Sequence, residues 1–436
     1  MHIYITLIVS LILSDYAFAG EVGKNYSAVN TLWVLIAAFM VFFMQAGFGM
    51  VEAGLIRAKN AINILMKNFL DFIMASLGFF VFGYAIMFGS GNDFFGYNGF
   101  FMLGAENPTA DIPVFVFWMF QAVFCGTAAT IVVGGVAERM KFVPYLIYSF
   151  LISAFFYPII GHWVWGGGWL AKIEFHDFAG STMVHAVGGF AALVGTVMLK
   201  PRIGKYKNGE INIIAGHNMP MVALGVFILW FGWFGFNPGS ALGMDDPELI
   251  GRVTINTDLA AGVGGLFAMI LSWLRFGKPD VPFTLNGILA GLVSITAPCA
   301  VVEPISALII GSIGGMISVF GFLWLDNRRI DDPVGAIPVH GFCGVWGTLA
   351  VGLWGVESYG SPNDGLFYGG GFLQLGIQSL GTVSCVLAIS LAMYLTFLAL
   401  KHTIGIRVSE KDESKGSDLI VHGINSYHYE GGDIDE

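Results

Sequence analysis

The stretch Asp-Phe-Ala-Gly-Ser-Thr-Met-Val-His at residues 177–185 has a counterpart at residues 332–340, which read Asp-Pro-Val-Gly-Ala-Ile-Pro-Val-His. Each stretch opens an apolar segment with an aspartate and places a histidine eight residues later, directly after a valine. A glycine follows each histidine by four residues, at Gly189 and Gly344. The match predicts an internal repeat whose two units each carry one histidine into the interior of the molecule.

The two units are predicted to enter from opposite faces, because His185 lies in the fifth apolar segment and His340 in the tenth. This arrangement is typical of membrane transporters built from inverted repeats, here of five plus five helices. A helical rise of about 1.5 Å per residue would put each histidine about 12 Å below its aspartate. Half the hydrocarbon core of a bilayer is about 15 Å. Both imidazoles are therefore predicted near the membrane midplane, where such transporters bind substrate.

Outward from these two units, the whole chain divides into eleven apolar segments. Each is about 17–29 residues long, which suits one tilted transmembrane helix. The sequence thus predicts an all-α membrane protein with eleven transmembrane helices, in which a long eleventh helix follows the five-plus-five repeat. The segments are 30–52, 68–90, 113–135, 143–168, 180–199, 217–236, 255–275, 283–299, 304–325, 335–354 and 372–400.

The distribution of basic residues predicts the orientation. With the N-terminus outside, the inward loops hold 17 of the 20 Lys and Arg residues, and the outward side holds only Lys24, Lys172 and Arg252. This asymmetry fits the positive-inside rule and places the C-terminus inside. The inward residues are Arg57, Lys59, Lys67, Arg139, Lys141, Lys200, Arg202, Lys205, Lys207, Arg275, Lys278, Arg328, Arg329, Lys401, Arg407, Lys411 and Lys415.

Composition favours the same class of protein. Of the 436 residues, 56% are hydrophobic and 11% are charged, whereas soluble domains are about 25% charged. No basic stripe indicates nucleic-acid binding. The four cysteines lie in apolar runs without CxxC spacing, so they are interpreted as packing residues.

The chain ends suggest three regions. Residues 1–19 combine a short apolar run with Ala17-Phe18-Ala19, a small-x-small cleavage pattern, and are predicted to be a signal peptide. The alternative is an additional, uncleaved helix. Residues 20–400 are predicted to form the membrane domain and residues 401–436 a cytoplasmic tail.

Two histidines at membrane depth favour a function, since ionisable residues there are by default functional. Neutral imidazoles each have one donor and one acceptor nitrogen, and can therefore pass a hydrogen bond or a proton to each other. The alternative is a pair of core histidines bonded to their neighbours. A metal site is not predicted, because no Cys, Glu or further His lies at ligand spacing beside them.

Aromatic residues gather at the predicted outer ends of the fourth and sixth segments, around Trp165 and in the run from Trp230 to Phe236. One interpretation is an interfacial aromatic belt. The other is a cage whose ring faces attract a small cation, supported by Asp177 and the Ser240 hydroxyl. Because a bare ion is penalised in low dielectric, a weak base that leaves its proton behind suits such a path better than Na⁺ or K⁺.

Several long motifs, in order, resemble the ammonium transporter family (Amt/Mep/Rh), on its Amt side, over nearly the whole chain. They are Gln45-Ala-Gly-Phe-Gly-Met-Val-Glu52-Ala-Gly-Leu55, Gly135-Val-Ala-Glu138-Arg139, Trp165-Gly-Gly-Gly, Asp177 to His185, Trp233-Phe-Gly-Phe236-Asn-Pro-Gly-Ser240, and Asp331-Asp-Pro to Val-His340-Gly-Phe-Cys-Gly.

The resemblance implies a role for each matching residue. Trp165 and Ser240, closed by Phe124, would form the outer recruitment site for ammonium, with Asp177 as its supporting buried acid. The remaining roles are a gate formed by Phe124 and Phe236, paired pore histidines at His185 and His340, and a structural acid at the inner mouth, Asp332.

The resemblance also implies a homotrimer in the lipid of the cell (inner) membrane and a cytoplasmic tail at which a PII-type signal protein docks. It implies no cofactor and no metal. Two departures are Ala122 and Val123, where the family often carries Gly and Thr. In the tail, Ser417 and Ile424 replace a more usual Leu and Glu, which weakens the inference of a PII partner.

The sequence therefore predicts an ammonium transporter in which ammonia and a proton cross separately, so that one charge moves. An electroneutral ammonia channel and an ammonium sensor with little flux are the alternatives, and whether methylammonium is carried stays open. A sodium-coupled carrier would need broken helices with oxygen-rich sites. An enzyme is not predicted, since no nucleophile and base set or phosphate loop is found.

Overall fold

The computed structural model describes residues 25–109 and 111–427, in which eleven long or apolar helices, α1–α11, make up the body of the protein. The predicted signal peptide and the acidic end at 433–436 lie outside the described residues. The helices are Ala28–Leu55 (α1), Ala58–Phe88 (α2), Val114–Val136 (α3), Phe142–Lys172 (α4), Ser181–Leu199 (α5), Met219–Ala241 (α6), Pro247–Phe276 (α7), Val281–Thr296 (α8), Pro304–Asn327 (α9), Ile337–Trp354 (α10) and Leu373–Thr403 (α11).

Within the described ranges, ten of these helices are long and apolar enough to cross a membrane. The remaining one, α8, has 16 residues and at about 1.5 Å per residue reaches about 24 Å, short of the hydrocarbon thickness of about 30 Å. The protein is thus an all-helical, multi-pass membrane protein. Each predicted apolar segment overlaps one helix, while the number that cross the membrane and their orientation stay predictions.

The predicted start of the second segment was wrong. Helix α2 begins at Ala58, ten residues before the predicted position, because its first turns are polar and depress the local hydropathy. Lys67, assigned to an inward loop, lies within α2 and is 1% exposed. Its Nζ donates to the Met140 carbonyl oxygen over 2.8 Å. Helix α7 likewise begins early, at Pro247, and includes Arg252.

The predicted depth of the histidines also needs correction. Helices α5 and α10 begin at Ser181 and Ile337, so the three residues after Asp177 and the four after Asp332 are not part of a continuous membrane helix. The distance of about 12 Å, derived from a helical rise, therefore does not apply. His185 and His340 lie in the first π-helical turns of their helices.

Close packing at the centre of the bundle brings α5 and α10 together. A Cβ atom at Gly189 of α5 would lie 2.1 Å from the backbone nitrogen of Gly341 in α10, so only glycine fits at this crossing. Small residues that let helix backbones approach are typical of membrane helix pairs. This crossing sets the spacing between the two histidines.

The remaining elements are short. Strands β1 (Tyr206–Lys207) and β2 (Glu210–Ile211) form an antiparallel hairpin with Tyr206 opposite Ile211. After α11, the chain forms the short helix Glu410–Lys415, here α12, and a single π-helical turn, and it packs against the same end of the bundle. The short helical elements are Phe100–Met102, Glu357–Tyr359, Leu366–Tyr368, Glu410–Lys415 (α12) and Asp418–His422.

Candidate functional site

A cavity of about 330 Å³, here called the vestibule, opens at one end of the bundle between α3, α4 and α6. It brings together three of the predicted recruitment residues, Phe124, Trp165 and Ser240. The fourth, Asp177, does not line the vestibule and lies behind Trp165. The Trp165 indole Nε1 donates to the backbone carbonyl oxygen of Asp177 over 2.8 Å, which fixes the ring beside the cavity.

Ser240 lies in the helical turn Pro238–Ala241 that ends α6. Its hydroxyl donates to the Phe236 carbonyl oxygen over 2.8 Å. A hydroxyl has one proton and two lone pairs, so its oxygen remains able to accept a hydrogen bond from a molecule in the vestibule. The Trp165 and Phe124 rings stand nearly perpendicular, at 78° and 6.3 Å between centroids. The vestibule therefore combines ring faces with an acceptor, a combination that suits a small N–H cation.

Two phenylalanine rings close the bottom of the vestibule. Phe124 and Phe236 are stacked with ring centroids 4.1 Å apart and an interplanar angle of 29°. Both are fully buried, at 1% and 0% exposure. The phenylalanine stack is thus buried and apolar, and a charged group that crossed it would lose its hydration without gaining an ionic partner.

Directly beyond the phenylalanine stack lies the histidine pair, His185 and His340. Their Nδ1 atoms are 3.2 Å apart and their rings are stacked, with 22° between planes. His185 also stacks on Phe236 and on Trp233, at centroid distances of 5.4 and 5.1 Å. Since one Nδ1 must donate and the other accept, the pair holds one shared proton in a continuous ring stack.

The aspartates explain why α5 begins where it does. The Asp177 carboxylate accepts hydrogen bonds from four consecutive backbone N–H groups, those of residues 180–183, over 2.8–2.9 Å. These N–H groups open the helix and have no partner within it. Gly180 turns the chain into the helix with a φ of 115°, a value that side chains disfavour.

Asp332 does the same for α10. Its carboxylate accepts from the backbone N–H groups of Gly335, Ala336 and Ile337 over 2.7–3.2 Å. Gly335 has a φ of 81°. Asp332 thus lies just before α10, on the side of the histidine pair away from the vestibule. It stabilises the first turn of the helix that carries His340.

On the side of the histidine pair opposite the vestibule is a second cavity, of about 20 Å³, here called the His340 cavity. Its walls are apolar except for His340, Glu52 and Asn286. Sequence reasoning did not assign a role to Glu52, although a carboxylate in an apolar run is itself a signal of function. It also missed Gln121, which lines the vestibule and whose Oε1 has no hydrogen-bond partner among residues 25–109 and 111–427. Gln121 precedes Phe124 by three residues and so shares its helix face.

Charged residues cluster at the end of the bundle away from the vestibule. Arg202 pairs with both carboxylate oxygens of Asp331 over 2.8 Å and with Glu138 over 2.6 Å. Arg57 binds the other oxygen of Glu138. Burial alone would raise the pKa of Asp331, but its hydrogen bonds to Arg202 hold that pKa below its ordinary value.

The segment after α11, residues 404–427, docks on this charged end. Asp418 accepts from the backbone N–H groups of Ile62 and Asn63 at the start of α2, over 3.0 and 2.8 Å. Glu413 binds Arg407 and the backbone N–H of Ile203. These contacts join the segment to the start of α2 and to the loop that follows α5.

Two aligned cavities separated by a buried histidine pair, in a multi-pass helical bundle, define a membrane channel or transporter. In the described part of the chain, no group of three or more His, Cys, Asp or Glu side chains could hold a metal ion. Residues 32–427 match the model of the Ammonium Transporter Family, and the chain belongs to this family.

Individual relatives and solved structures point to the same family. The chain is 47% identical over 419 residues to ammonium transporter Amt2 of Archaeoglobus fulgidus, a match that covers 92% of this chain and 88% of the relative. A solved structure titled "Sensor Amt Protein" superposes with a TM-score of 0.85 at 40% identity, covering 90% of this chain and 98% of that one. Mep2 of Saccharomyces cerevisiae superposes with a TM-score of 0.84 at 27% identity, covering 91% and 92%. These names indicate a transporter rather than an enzyme.

Proposed function

We propose that this protein carries ammonium across the cell membrane as ammonia and a separately moving proton. The observation that carries the proposal is the histidine pair, whose Nδ1 atoms are 3.2 Å apart directly behind a buried phenylalanine stack. Family membership supports ammonium as the substrate. The path is otherwise apolar, which suits a neutral amine better than a metal cation.

Recruitment takes place in the vestibule. The Trp165 and Phe124 ring faces attract the ammonium charge, and the Ser240 oxygen accepts one of its N–H groups. Asp177 acts indirectly, since its carbonyl oxygen holds the Trp165 indole and its carboxylate holds the start of α5. Its carboxylate is fully engaged by backbone N–H groups and does not bind the substrate.

Crossing begins above the phenylalanine stack formed by Phe124 and Phe236, where an N–H bond of ammonium breaks and a water molecule of the vestibule takes up the proton. Ammonia then passes the stack and moves along His185 and His340, which offer hydrogen bonds where the rest of the wall is apolar. The proton follows through the shared Nδ1 to Nδ1 contact of the histidine pair. One positive charge therefore moves with each ammonia.

The membrane arrangement is part of the same proposal. Eleven helices cross the membrane as a five-plus-five inverted repeat and a last helix, with the vestibule and the N-terminus outside. Residues 20–400 form the membrane domain, and the tail from 401 to 436 lies inside. Three copies assemble in the cell membrane, and a PII-type protein docks at the tail and inner loops.

The experiment is the current of proteoliposomes after an ammonium jump at symmetric K⁺ and Na⁺, with internal pH followed in parallel. We expect a saturable, ammonium-dependent current in the native protein and its loss in His185→Ala/His340→Ala. A double variant with the native current would refute the histidine relay. A native protein without current, but with an internal alkalinisation from ammonia, would instead identify an electroneutral channel.

Sensing with little flux is a second candidate function. It is favoured by one observation, the 40% identity to the structure titled "Sensor Amt Protein". In that case neither current nor ammonia-linked pH change would be detected, while ammonium would still bind. The same proteoliposome assay therefore separates the two functions.

A further inference from the structure

The His340 cavity contains a carboxylate that the transport path above does not use. Glu52 of α1 and His340 of α10 line this cavity together, and Glu52 is 3% exposed. The volume of about 20 Å³ exceeds the roughly 10–15 Å³ that one water molecule needs. A single water therefore fits in the cavity that the two side chains line.

Both side chains have an atom free to bind that water. His340 uses Nδ1 for His185, and its Nε2 makes no hydrogen bond to the described residues. Glu52 accepts from the Asn68 amide at Oε2 over 2.8 Å, and its Oε1 accepts from no group in the described part of the chain. One donor or acceptor on each side of a small, mostly apolar cavity is the arrangement of a proton relay.

The charge on Glu52 has no ion-pair partner among the described residues. The ionisable groups that face it are Lys67 and Asp71 of α2, Asp332 before α10, and His340. Lys67 donates to the Met140 carbonyl, and Asp332 is bound by backbone N–H groups. An unpaired carboxylate at membrane depth is costly, and such residues mark proton relays in transport proteins.

A chain of polar side chains holds Glu52 in place. Asn68, which binds Glu52, is in turn 3.3 Å from the Thr130 hydroxyl. That hydroxyl donates to Asp71 over 2.8 Å, and the Tyr145 hydroxyl donates to the same oxygen of Asp71. The chain links α1, α2, α3 and α4, and it fixes the carboxylate at the cavity wall.

We propose that Glu52 takes the proton from the histidine pair and passes it to the side away from the vestibule. The Nε2–H bond of a protonated His340 breaks, the bridging water carries the proton, and an O–H bond forms on Glu52. His340 returns to the neutral state, and Glu52 then releases the proton into solution as the ammonia leaves by the cavity. Asn68 is a positioning residue, since it acts only through Glu52.

This inference rests on the proposed function, because it needs a proton that travels apart from ammonia. Glu52→Gln keeps the size of the side chain and the acceptor for Asn68, but it cannot take up a proton. We expect it to lower the ammonium current by at least about tenfold, within the range for general acid–base groups. The half-saturation concentration should stay near native, because the vestibule is unchanged. The interior should become more alkaline than with the native protein, because ammonia then enters without its proton.

Two further variants make the test specific. Glu52→Asp keeps a carboxylate and should restore current with a displaced pH profile. Glu303→Gln removes the same charge at the start of α9, where Glu303 binds Tyr368 far from the cavity, and should behave as native. If Glu52→Gln fails to assemble, the pH profile of Glu52→Asp decides: a displaced profile supports the relay and a native profile overturns it.

The outcomes distinguish this inference from the proposed function. If the native protein carries an ammonium current and Glu52→Gln gives the same current with the same pH profile, the relay through Glu52 is overturned. The proposed function then still stands. A parallel loss of current and ammonia flux in Glu52→Gln also overturns it, since that pattern marks a purely structural carboxylate. Absence of ammonium current in the native protein overturns the proposed charge movement, and with it the relay.

Discussion

The Asp177–His185 unit and the Asp332–His340 unit use one local device in two different settings. In each, a carboxylate binds the first N–H groups of a helix, a glycine three residues after the aspartate turns the chain with positive φ, and the histidine follows in the first π-helical turns. The shared part therefore places the histidines. It does not determine what lies beyond them.

The settings differ at the residues beside each aspartate. Asp177 offers its carbonyl oxygen to Trp165 and so supports the aromatic vestibule. Asp332 follows Asp331, which binds Arg202 in the charged cluster at the opposite end. The repeat thus places two equivalent histidines at the centre of the bundle. The residues that flank each unit make the two ends different: one end has an aromatic cavity, and the other has buried ion pairs and binds the segment 404–427.

The largest effect is expected from removing the shared device. Asp177→Ala leaves four backbone N–H groups without partners and Asp332→Ala leaves three. Each orphaned buried group costs about 1–3 kcal/mol, so both variants should lose several kcal/mol, Asp177→Ala more. Thermal unfolding in detergent measures this. The Asn variants, which keep one acceptor oxygen, should lie between Ala and native, and a larger loss at Asp332 would contradict the comparison.

The next effect concerns only the ionic end. Asp331→Asn breaks a buried pair with Arg202, whose loss costs about 3–5 kcal/mol. Arg202 holds the pKa of Asp331 below its ordinary value, so this stabilisation is fully present above about pH 3.9 and is lost as the pH falls through the lower, folded-state pKa.

The free energy of unfolding, measured as a function of pH, tests the direction of this pH dependence. The difference in stability between native protein and Asp331→Asn should be greatest at neutral pH and shrink in acid. Asp93→Asn, which removes the exposed partner of Lys172, is the control and should cost about 0–1 kcal/mol. A pH-independent difference for Asp331→Asn would show that its charge is not the cause.

A smaller effect is expected where the Asp177–His185 unit meets the vestibule. Trp165→Phe keeps an aromatic ring but loses the bond to the Asp177 carbonyl and part of the ring's attraction for a cation. A loss of about 1.4 kcal/mol would raise the half-saturation concentration for ammonium about tenfold, with the maximal current little changed. Trp346→Phe removes a similar bond, to Ile310, away from the vestibule and should leave half-saturation unchanged.

Much of this architecture could be predicted from the sequence, because lipid selects long apolar helices and a repeat preserves its motif. His185 and His340 emerged from spacing alone. The polar first turns of α2 hid its start, since hydropathy cannot anticipate that Lys67 is buried against the Met140 carbonyl. The Glu52 to Asn68 contact and the docking of Asp418 on α2, 355 residues away, depend on long-range packing that no local pattern encodes.

One local signal was present but unused. Both units read Asp-x-x-Gly before their helices, at Asp177 to Gly180 and at Asp332 to Gly335. An aspartate followed by a glycine that can adopt positive φ is typical of a capped turn. It would have placed the helix starts after the aspartates and corrected the predicted histidine depth.

The smallest effect is expected at Ser240. It tests whether the aromatic rings of the vestibule are sufficient to bind the cation. The hydroxyl is held by the Phe236 carbonyl, so its orientation is fixed before the substrate arrives and its lone pairs face the cavity. Ser240→Ala removes one acceptor, worth about 0.5–1.5 kcal/mol, and should raise half-saturation about threefold. Ser384→Ala, which loses an equivalent bond to Leu380 on α11, is the control. An unchanged half-saturation in Ser240→Ala would mean that ring faces suffice to recruit the cation. The attraction of the vestibule end for a cation would then rest on Trp165 and Phe124.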